Sequence, residues 1–357
     1  MKCAEGPKQA RIPNARGQQA VSLGIADIWR CPRCRGALAR SVGGLECGNC
    51  RHAYEVIDGI ADLRVPGDSW IDFSVDSAIA KELVALNLPL EELVRGVYSR
   101  RAGWDEARIE LRTGQVLNAP ARLAEDVAGW LRPALDTGVF LDLGCGSGVL
   151  LAAAAKGGHS GIGIGIDVSM TWLVVAKRLI LAYGGTPVLA AALGEALPLD
   201  ESILDGVISL DVIEHVRDPD VYLSEIDRVT ATGGCLALSM PNRFSLTREP
   251  HVFVWGVGWL PRAYQARYVR WRSGRSYDDT VLLSSFDLRR RLKRFSSLNF
   301  NILIPPVPAA HINLFSAAKA WLAEIYNRLC SNRGFRVLFL IVGPYFRVLG
   351  RKRGVEK

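Results

Sequence analysis

The stretch Val139-Phe-Leu-Asp-Leu-Gly-Cys-Gly-Ser-Gly148 decides how the chain folds. Val139 to Leu143 is a near-continuous apolar run that ends in glycines, which suits a parallel strand covered on both faces. Gly144, Gly146 and Gly148 let the backbone turn sharply and approach a ligand with no side chain between. A helix is expected from about Val149, its amino-terminal N–H groups offered to that ligand. The spacing is Gly-x-Gly-x-Gly, with Asp142 just before it, and differs from the Gly-x-Gly-x-x-Gly dinucleotide fingerprint. A second carboxylate, Asp167, closes the next apolar strand nineteen positions after Gly148, where a nucleoside-binding α/β domain holds ribose hydroxyls.

Together these motifs resemble the class I S-adenosylmethionine-dependent methyltransferases. The resemblance implies a Rossmann-like, seven-stranded α/β fold and a cofactor site that includes Asp142, Gly144, Cys145, Gly146, Gly148, Asp167 and Val168. Later strands are read at about 187–192, 206–210, 233–240 and 300–304, with a last antiparallel strand near the end of the chain. Where the family usually has an Asp that bonds the adenine amine, this chain has Leu193, which leaves Glu195 and nearby backbone as cofactor candidates. The fourth strand delivers Asp211-Val-Ile-Glu214-His215-Val-Arg-Asp-Pro219, similar to a turn in the small-molecule O-methyltransferases of ubiquinone biosynthesis. Asp211 joins the cofactor set. His215 is the candidate general base, because imidazole titrates near neutrality, and Glu214 orients it or takes the proton itself. Asp211, Glu214 and His215 also resemble a divalent-metal set of ubiquinone and small-RNA 3′-end methyltransferases, with His251 as a further donor.

The 357 residues suggest a main domain with appendages, and 49% apolar content supplies a large core. No signal-peptide h-region is read at the amino terminus, and no apolar run is long enough to span a bilayer. The expected place is the cytoplasm, where the eight cysteines serve as thiols or metal ligands. Cys31-Pro-Arg-Cys34 and Cys47-Gly-Asn-Cys50 aim four thiolates at one point, the donor set of a closed, structural zinc site. A hairpin turning at Gly43-Gly44 is expected between them, and His52 is the alternative ligand. With Ile57-Asp-Gly-Ile60 after it, this segment resembles the zinc-ribbon family typified by the activator subunit of tRNA, rRNA and protein methyltransferases.

The expected organisation is a flexible lead at 1–27, a zinc ribbon at 28–66, a helical cover at 67–118 and a methyltransferase domain at 119–357. The helical cover brings Tyr98 and Arg101, which either touch the cofactor or pack, and a helix at Ala119–Leu131 leads into the first strand. A cap insertion follows the fifth strand at about 243–284, rich in Trp, Tyr and Arg, and a basic apolar tail runs from about 333 to 357. Pro261 to Arg294 carries nine Arg and one Lys against three Asp, and Asn332 to Lys357 carries seven bases against Glu356. Such patches suit an anionic partner. The cap resembles those of bacterial methyltransferases associated with cell-surface glycan synthesis. The reading is methyl transfer to an oxygen of a glycan, glycolipid or related small molecule, anionic or lipid-linked, with peripheral contact at the inner membrane face. RNA is the alternative acceptor, and a catalytically silent binding module is the alternative class.

Overall fold

The structure is a computed structural model that describes residues 28–65, 71–159, 161–295, 297–308, 312, 316–330 and 332–354. The lead expected at 1–27 lies outside the described residues. The chain divides into two compact units: residues up to Ser209 with Ser224–Cys235, and Leu210–Leu223 with Leu236 onward.

The first unit opens with β1 (Leu38–Ser41) and β2 (Gly44–Cys47), paired antiparallel from Leu38↔Cys47 to Ser41↔Gly44. The turn is therefore Val42-Gly43, not the expected Gly43-Gly44. Gly43 takes the positive φ of 89°, whereas Gly44 belongs to β2, where a Cβ would lie 2.0 Å from Tyr54 O on β3 (Ala53–Ile57). Asp58 and Gly59, both at positive φ, close a tight hairpin into β4 (Ile60–Asp62). Helices α1 (Phe73–Leu86), α2 (Leu90–Ser99) and α3 (Glu106–Arg122) follow, the first and third capped by Asp72 and Asp105. The single helix expected at Ala119–Leu131 is instead the end of α3, then the short α4 (Ala124–Ala128) and α5 (Arg132–Leu135). Gly129 stops it: its ψ of −110° cannot continue a helical turn.

The α/β alternation then begins with β5 (Val139–Leu143), α6 (Val149–Lys156), β6 (Ile162–Asp167), α7 (Met170–Ala182), β7 (Val188–Ala191) and β8 (Leu204–Leu210). Every residue of β5 is buried, as its unbroken apolar character requires. The strand order in this unit is β1-β2-β3-β4-β7-β6-β5-β8, with β4, β7, β6, β5 and β8 parallel. The ribbon thus continues the main sheet through Ala61↔Ala190 and Asp62↔Ala191. Helix α8 (Pro219–Val229) and β9 (Thr230–Pro241) each pass from one unit to the other.

The second unit adds α9 (Arg262–Ser273), α10 (Ser285–Leu292), β10 (Leu298–Leu303), α11 (Ala317–Cys330), α12 (Arg333–Val342) and β11 (Tyr345–Lys352). There β11 lies between β9 and β10 and runs antiparallel to β10. Helix α10 starts on a capping box made by Ser284 and Asp287. The cap has a small core of its own, Val252, Val254, Val257, Val269 and Tyr277. Seven strands, β5 to β11, follow residue 138 among the described residues, the number expected for this fold, and the ribbon adds four.

One buried cation ties the ribbon to the main sheet. Arg64, its side chain 1% exposed, donates to Asp62 at 2.5 and 2.7 Å, to Asp76 of α1 at 2.8 Å and to Val168 O at 3.0 Å. Asp76 also accepts Met170 N–H at 2.6 Å and Ser169 Oγ–H at 3.0 Å, and so caps α7 from another helix. A charge taken out of water is tolerated only when neighbours satisfy it, and here two carboxylates and a carbonyl do so. Arg64→Met leaves both acids uncompensated, and the expected loss is about 3–5 kcal/mol, read from the urea midpoint. Adding Asp76→Asn to that variant should recover part of the loss. If the single variant unfolds at the parental midpoint, the network contributes nothing.

Candidate active site and a four-cysteine centre

The glycine turn after β5 is built as the sequence requires. Gly148 stands at φ 75°, and a Cβ there would meet Ala176 Cβ of α7 at 2.8 Å. Gly146, at φ 50°, has nothing within 4 Å of its would-be Cβ, which leaves open space in front of the turn. Helix α6 starts at Val149 with no side-chain cap on its first N–H groups. Gly144 and Cys145 do not turn their N–H groups toward that space, because both donate to Ile166 O, at 2.7 and 3.1 Å. Cys145 is buried, and burial pushes its thiol well above the ordinary range, so it is an inert wall.

Asp167 closes β6 and braces the turn. One carboxylate oxygen accepts Gly146 N–H at 2.8 Å and the other Ser169 N–H at 2.8 Å. Each oxygen has a second lone pair, so the group can still accept from a vicinal diol. Val168 follows, its carbonyl engaged by Arg64. Glu195 is half-buried beside a turn closed by Ala196 N–H to Leu193 O at 3.1 Å. Tyr98 is buried and stacks on Trp104 at 5.2 Å, with Trp172 of α7 against its edge at 5.3 Å and Arg101 over both rings of the stack. Packing therefore accounts for Tyr98 and Arg101.

Asp142 is buried, and its Oδ2 finds no partner among the described residues. Burial, aided by the Asp167 charge, pushes its carboxyl up to about 8. An acid raised in the fold but not in the open chain makes unfolding release a proton, so stability falls between about pH 4 and about pH 8. Asp142→Asn removes that dependence. The melting-temperature gap in its favour, for the ligand-free protein, should open across this window; a constant gap would place the carboxyl at its ordinary value.

Asp211, Glu214 and His215 lie in the second unit. Asp211 adopts φ 57°, rare for a side-chain-bearing residue, and is held there by its N–H to Ser239 O and by Ser239 Oγ–H to its Oδ1, both at 2.9 Å. His215 Nδ1 lies 3.2 Å from Asp279 O, a carbonyl that only accepts, so Nδ1 carries the hydrogen. His251 Nδ1 lies 2.5 Å from Glu249 Oε1 and likewise carries a hydrogen. In the neutral rings both Nε2 atoms are then lone pairs, and they face each other at 3.1 Å. A shared proton or another cation must lie between them. Burial pulls His251 down, but Glu249 more than offsets it and its net shift is upward; burial lowers His215. Glu214, 1% exposed, has neither carboxylate oxygen hydrogen-bonded among the described residues, and its Oε1 lies 3.8 Å from His251 Nε2. Burial, then the Asp211 charge, pushes Glu214 up to about 8. Three donors thus converge within 4.8 Å of one another. Glu249 and the Asp279 carbonyl, which fix the two tautomers, escaped the sequence reading; Glu249-Pro-His251 was the available signal.

The four cysteines meet with their sulfurs within 4.8 Å of one another, Cys31 to Cys50 at 3.6 Å and Cys34 to Cys47 at 3.4 Å. Both knuckles close alike: Arg35 and Arg51 take positive φ and return their N–H groups to Cys31 O and Cys47 O. Asn49 and Cys50 point N–H groups at Cys47 Sγ, and Tyr54 Oη lies 3.0 Å from Cys31 Sγ. His52 faces Arg33 and Tyr54 and stands outside the set.

Residues 141–238 match the family described as methyltransferase domain, and residues 25–59 match the family described as Trm112p-like protein. The ubiquinone biosynthesis O-methyltransferase of Brucella anthropi is 35% identical over 127 residues, 34% of this chain and 50% of that protein. An uncharacterized 37.1 kDa protein from a Streptomyces fradiae transposon is 38% identical over 110 residues, 30% of this chain and 31% of its own length. The chain therefore spans half the length, or less, of these curated relatives. Among solved structures, one chain of the complex between the Haloferax volcanii Trm112 methyltransferase activator and its candidate methyltransferase matches 71% of this chain and all of its own length at 20% identity, with a TM-score of 0.43. The chain carries a methyltransferase domain of the class I α/β fold and, ahead of it in the same polypeptide, a Trm112p-like ribbon with four clustered cysteines.

Proposed function

We propose that the protein transfers a methyl group from S-adenosylmethionine to an oxygen of a small acceptor of the glycan or glycolipid class. The observation that carries this reading is the Asp167 carboxylate, fixed by two backbone N–H groups beside an open glycine turn. Asp167 would hold the ribose hydroxyls, while Asp142, the turn from Gly144 to Gly148, Val168 and Glu195 would complete the cofactor contacts of the first unit. The bound cofactor supplies an electrophilic methyl on a sulfonium centre, which needs a nucleophile held in line more than it needs activation. Calorimetry with S-adenosylhomocysteine tests the assignment. Asp167→Ala should lose the binding heat with its fold intact by circular dichroism, and retained affinity would sink the ribose role.

His215 is the general base of this reading. Its Nδ1–H is held on Asp279 O, so Nε2 is the atom that takes the hydroxyl proton of the acceptor, once that hydroxyl displaces His251 Nε2 from it. Glu214, whose carboxylate oxygens have no hydrogen-bond partner among the described residues and whose carboxyl is pushed up to about 8, takes that proton from the imidazole when it is ionised. A second reading rests on the same facing lone pairs: Glu214, His215 and His251 fit a divalent ion, which would lower the pKa of a hydroxyl bound to it. Cys31, Cys34, Cys47 and Cys50 fit a structural zinc, a closed thiolate set with no position left for chemistry.

His215→Ala should reduce turnover by about 10²–10⁴ and leave S-adenosylhomocysteine affinity unchanged. Mild chelation that leaves the ribbon metal in place separates the two readings: full activity afterwards removes the divalent ion, and loss restored by added magnesium or manganese establishes it. An RNA acceptor is favoured by one observation, the exposed Tyr264 and Trp271 set among the arginines of α9. Labelled methyl recovered in RNase-sensitive material, not in a lipid or sugar extract, would replace the glycan reading by that one.

A further inference from the structure

Helix α12, Arg-Gly-Phe-Arg-Val-Leu-Phe-Leu-Ile-Val, is apolar but contains no fully buried side chain among its described residues. Phe335, Val337 and Leu338 are 42%, 63% and 48% exposed. An apolar helix that packs on a core buries one stripe, and this one does not. Its neighbour α11 buries only Ala323 and leaves Trp321 and Leu322 exposed by 61% and 58%. The hairpin is nonetheless fixed in place, by polar ties. Asn327 exchanges bonds with Val307 N and O at 2.8 and 2.9 Å, and Tyr326 Oη–H reaches Pro305 O at 3.1 Å. Asn242, itself buried, donates to Ile341 O and Gly343 O, both at 2.8 Å, and Phe339 sits edge-on against Tyr326. The apolar face is therefore left over after the hairpin is anchored.

We infer that the α11–α12 hairpin lies in the interface of an anionic lipid bilayer. Charge selects this occupant. From Ser316 to Val342, the span of the hairpin, the chain holds Lys319, Arg328, Arg333 and Arg336 against the single Glu324. A second copy docking through the same face would bring this charge against itself. Nucleic acid would gain nothing from Val337 and Leu338, which offer no ring to stack. An anionic bilayer satisfies both halves: the aliphatic side chains enter the headgroup–acyl boundary, Trp321 sits at headgroup depth, and Arg336 meets lipid phosphate. A ten-residue helix is about 15 Å long, half a hydrocarbon core, so α12 lies along the surface. The surface continues into the cap, because exposed Leu246 donates its N–H to Val342 O and its carbonyl accepts the indole N–H of exposed Trp255.

Flotation of the full chain with phosphatidylcholine vesicles, with and without phosphatidylglycerol, tests the inference. The wild type should float with the anionic vesicles only, and less as salt rises. The double variant Val337→Asp/Leu338→Asp should lose at least about tenfold in partition. Both positions are exposed, so the fold and S-adenosylhomocysteine affinity should hold. Equal flotation of variant and wild type, or equal binding to neutral and anionic vesicles, overturns the inference. A concentration-dependent dimer abolished by the double variant, or RNA retention lost with it, also overturns it, since the face would then have another occupant.

Discussion

A guanidinium sealed inside the first unit holds its parts in register. Arg64 bridges the residue that ends β4, a carboxylate of α1 and the carbonyl of Val168, one residue beyond the candidate ribose acid. Asp76, its partner, in turn fixes the backbone of residues 169–171. The position of the Asp167 carboxylate is thus set from two sides, by the glycine turn before it and by this ion network after it. Around the network, Lys177 pairs with Asp58, Arg30 with Asp200 and Arg35 with Glu225, each joining a ribbon residue to the α/β part of the unit. These outer pairs are more exposed and contribute less than the buried one.

In the second unit the proposed chemistry rests on a conflict among electron pairs. Two imidazoles have their Nδ1 hydrogens assigned by Asp279 O and Glu249, which forces both remaining lone pairs toward one point. Glu214 adds a carboxylate with no hydrogen-bond partner among the described residues. Such an arrangement holds a proton or a cation tightly and can pass it on, which an active site needs and a folded core does not. The positive φ of Asp211 belongs to the same picture, since strained backbone persists where the surroundings fix it.

What could be read in the sequence was local. The glycine turn, the two cysteine knuckles and the strand–helix alternation depend on residues within a few positions of one another, and each stands where its spacing put it. The helix expected at Ala119–Leu131 failed because periodicity carried past Gly129, whose backbone angles break it. The Arg64 network was not legible: its partners lie 2, 12 and 104 positions away, and an Arg in a mixed stretch looks like a surface residue. The exposure of α12 was not legible for a related reason: burial depends on what lies opposite a helix, and none of the described side chains of α12 is fully buried. Leu193 stands where the family usually has an acid, and its carbonyl accepts Ala196 N–H within a local turn.

The ribbon joins the sheet by pairing Ala61 with Ala190, partners 129 residues apart. During synthesis at roughly 5–20 residues per second, β4 waits many seconds before the strand that covers it leaves the ribosome. Over that interval the cysteine knuckles can close on a metal while Ile60 and Ala61, almost wholly buried in the finished fold, face water. The nascent chain therefore carries a sticky open edge, and chaperone access during translation would bear on the yield of folded protein.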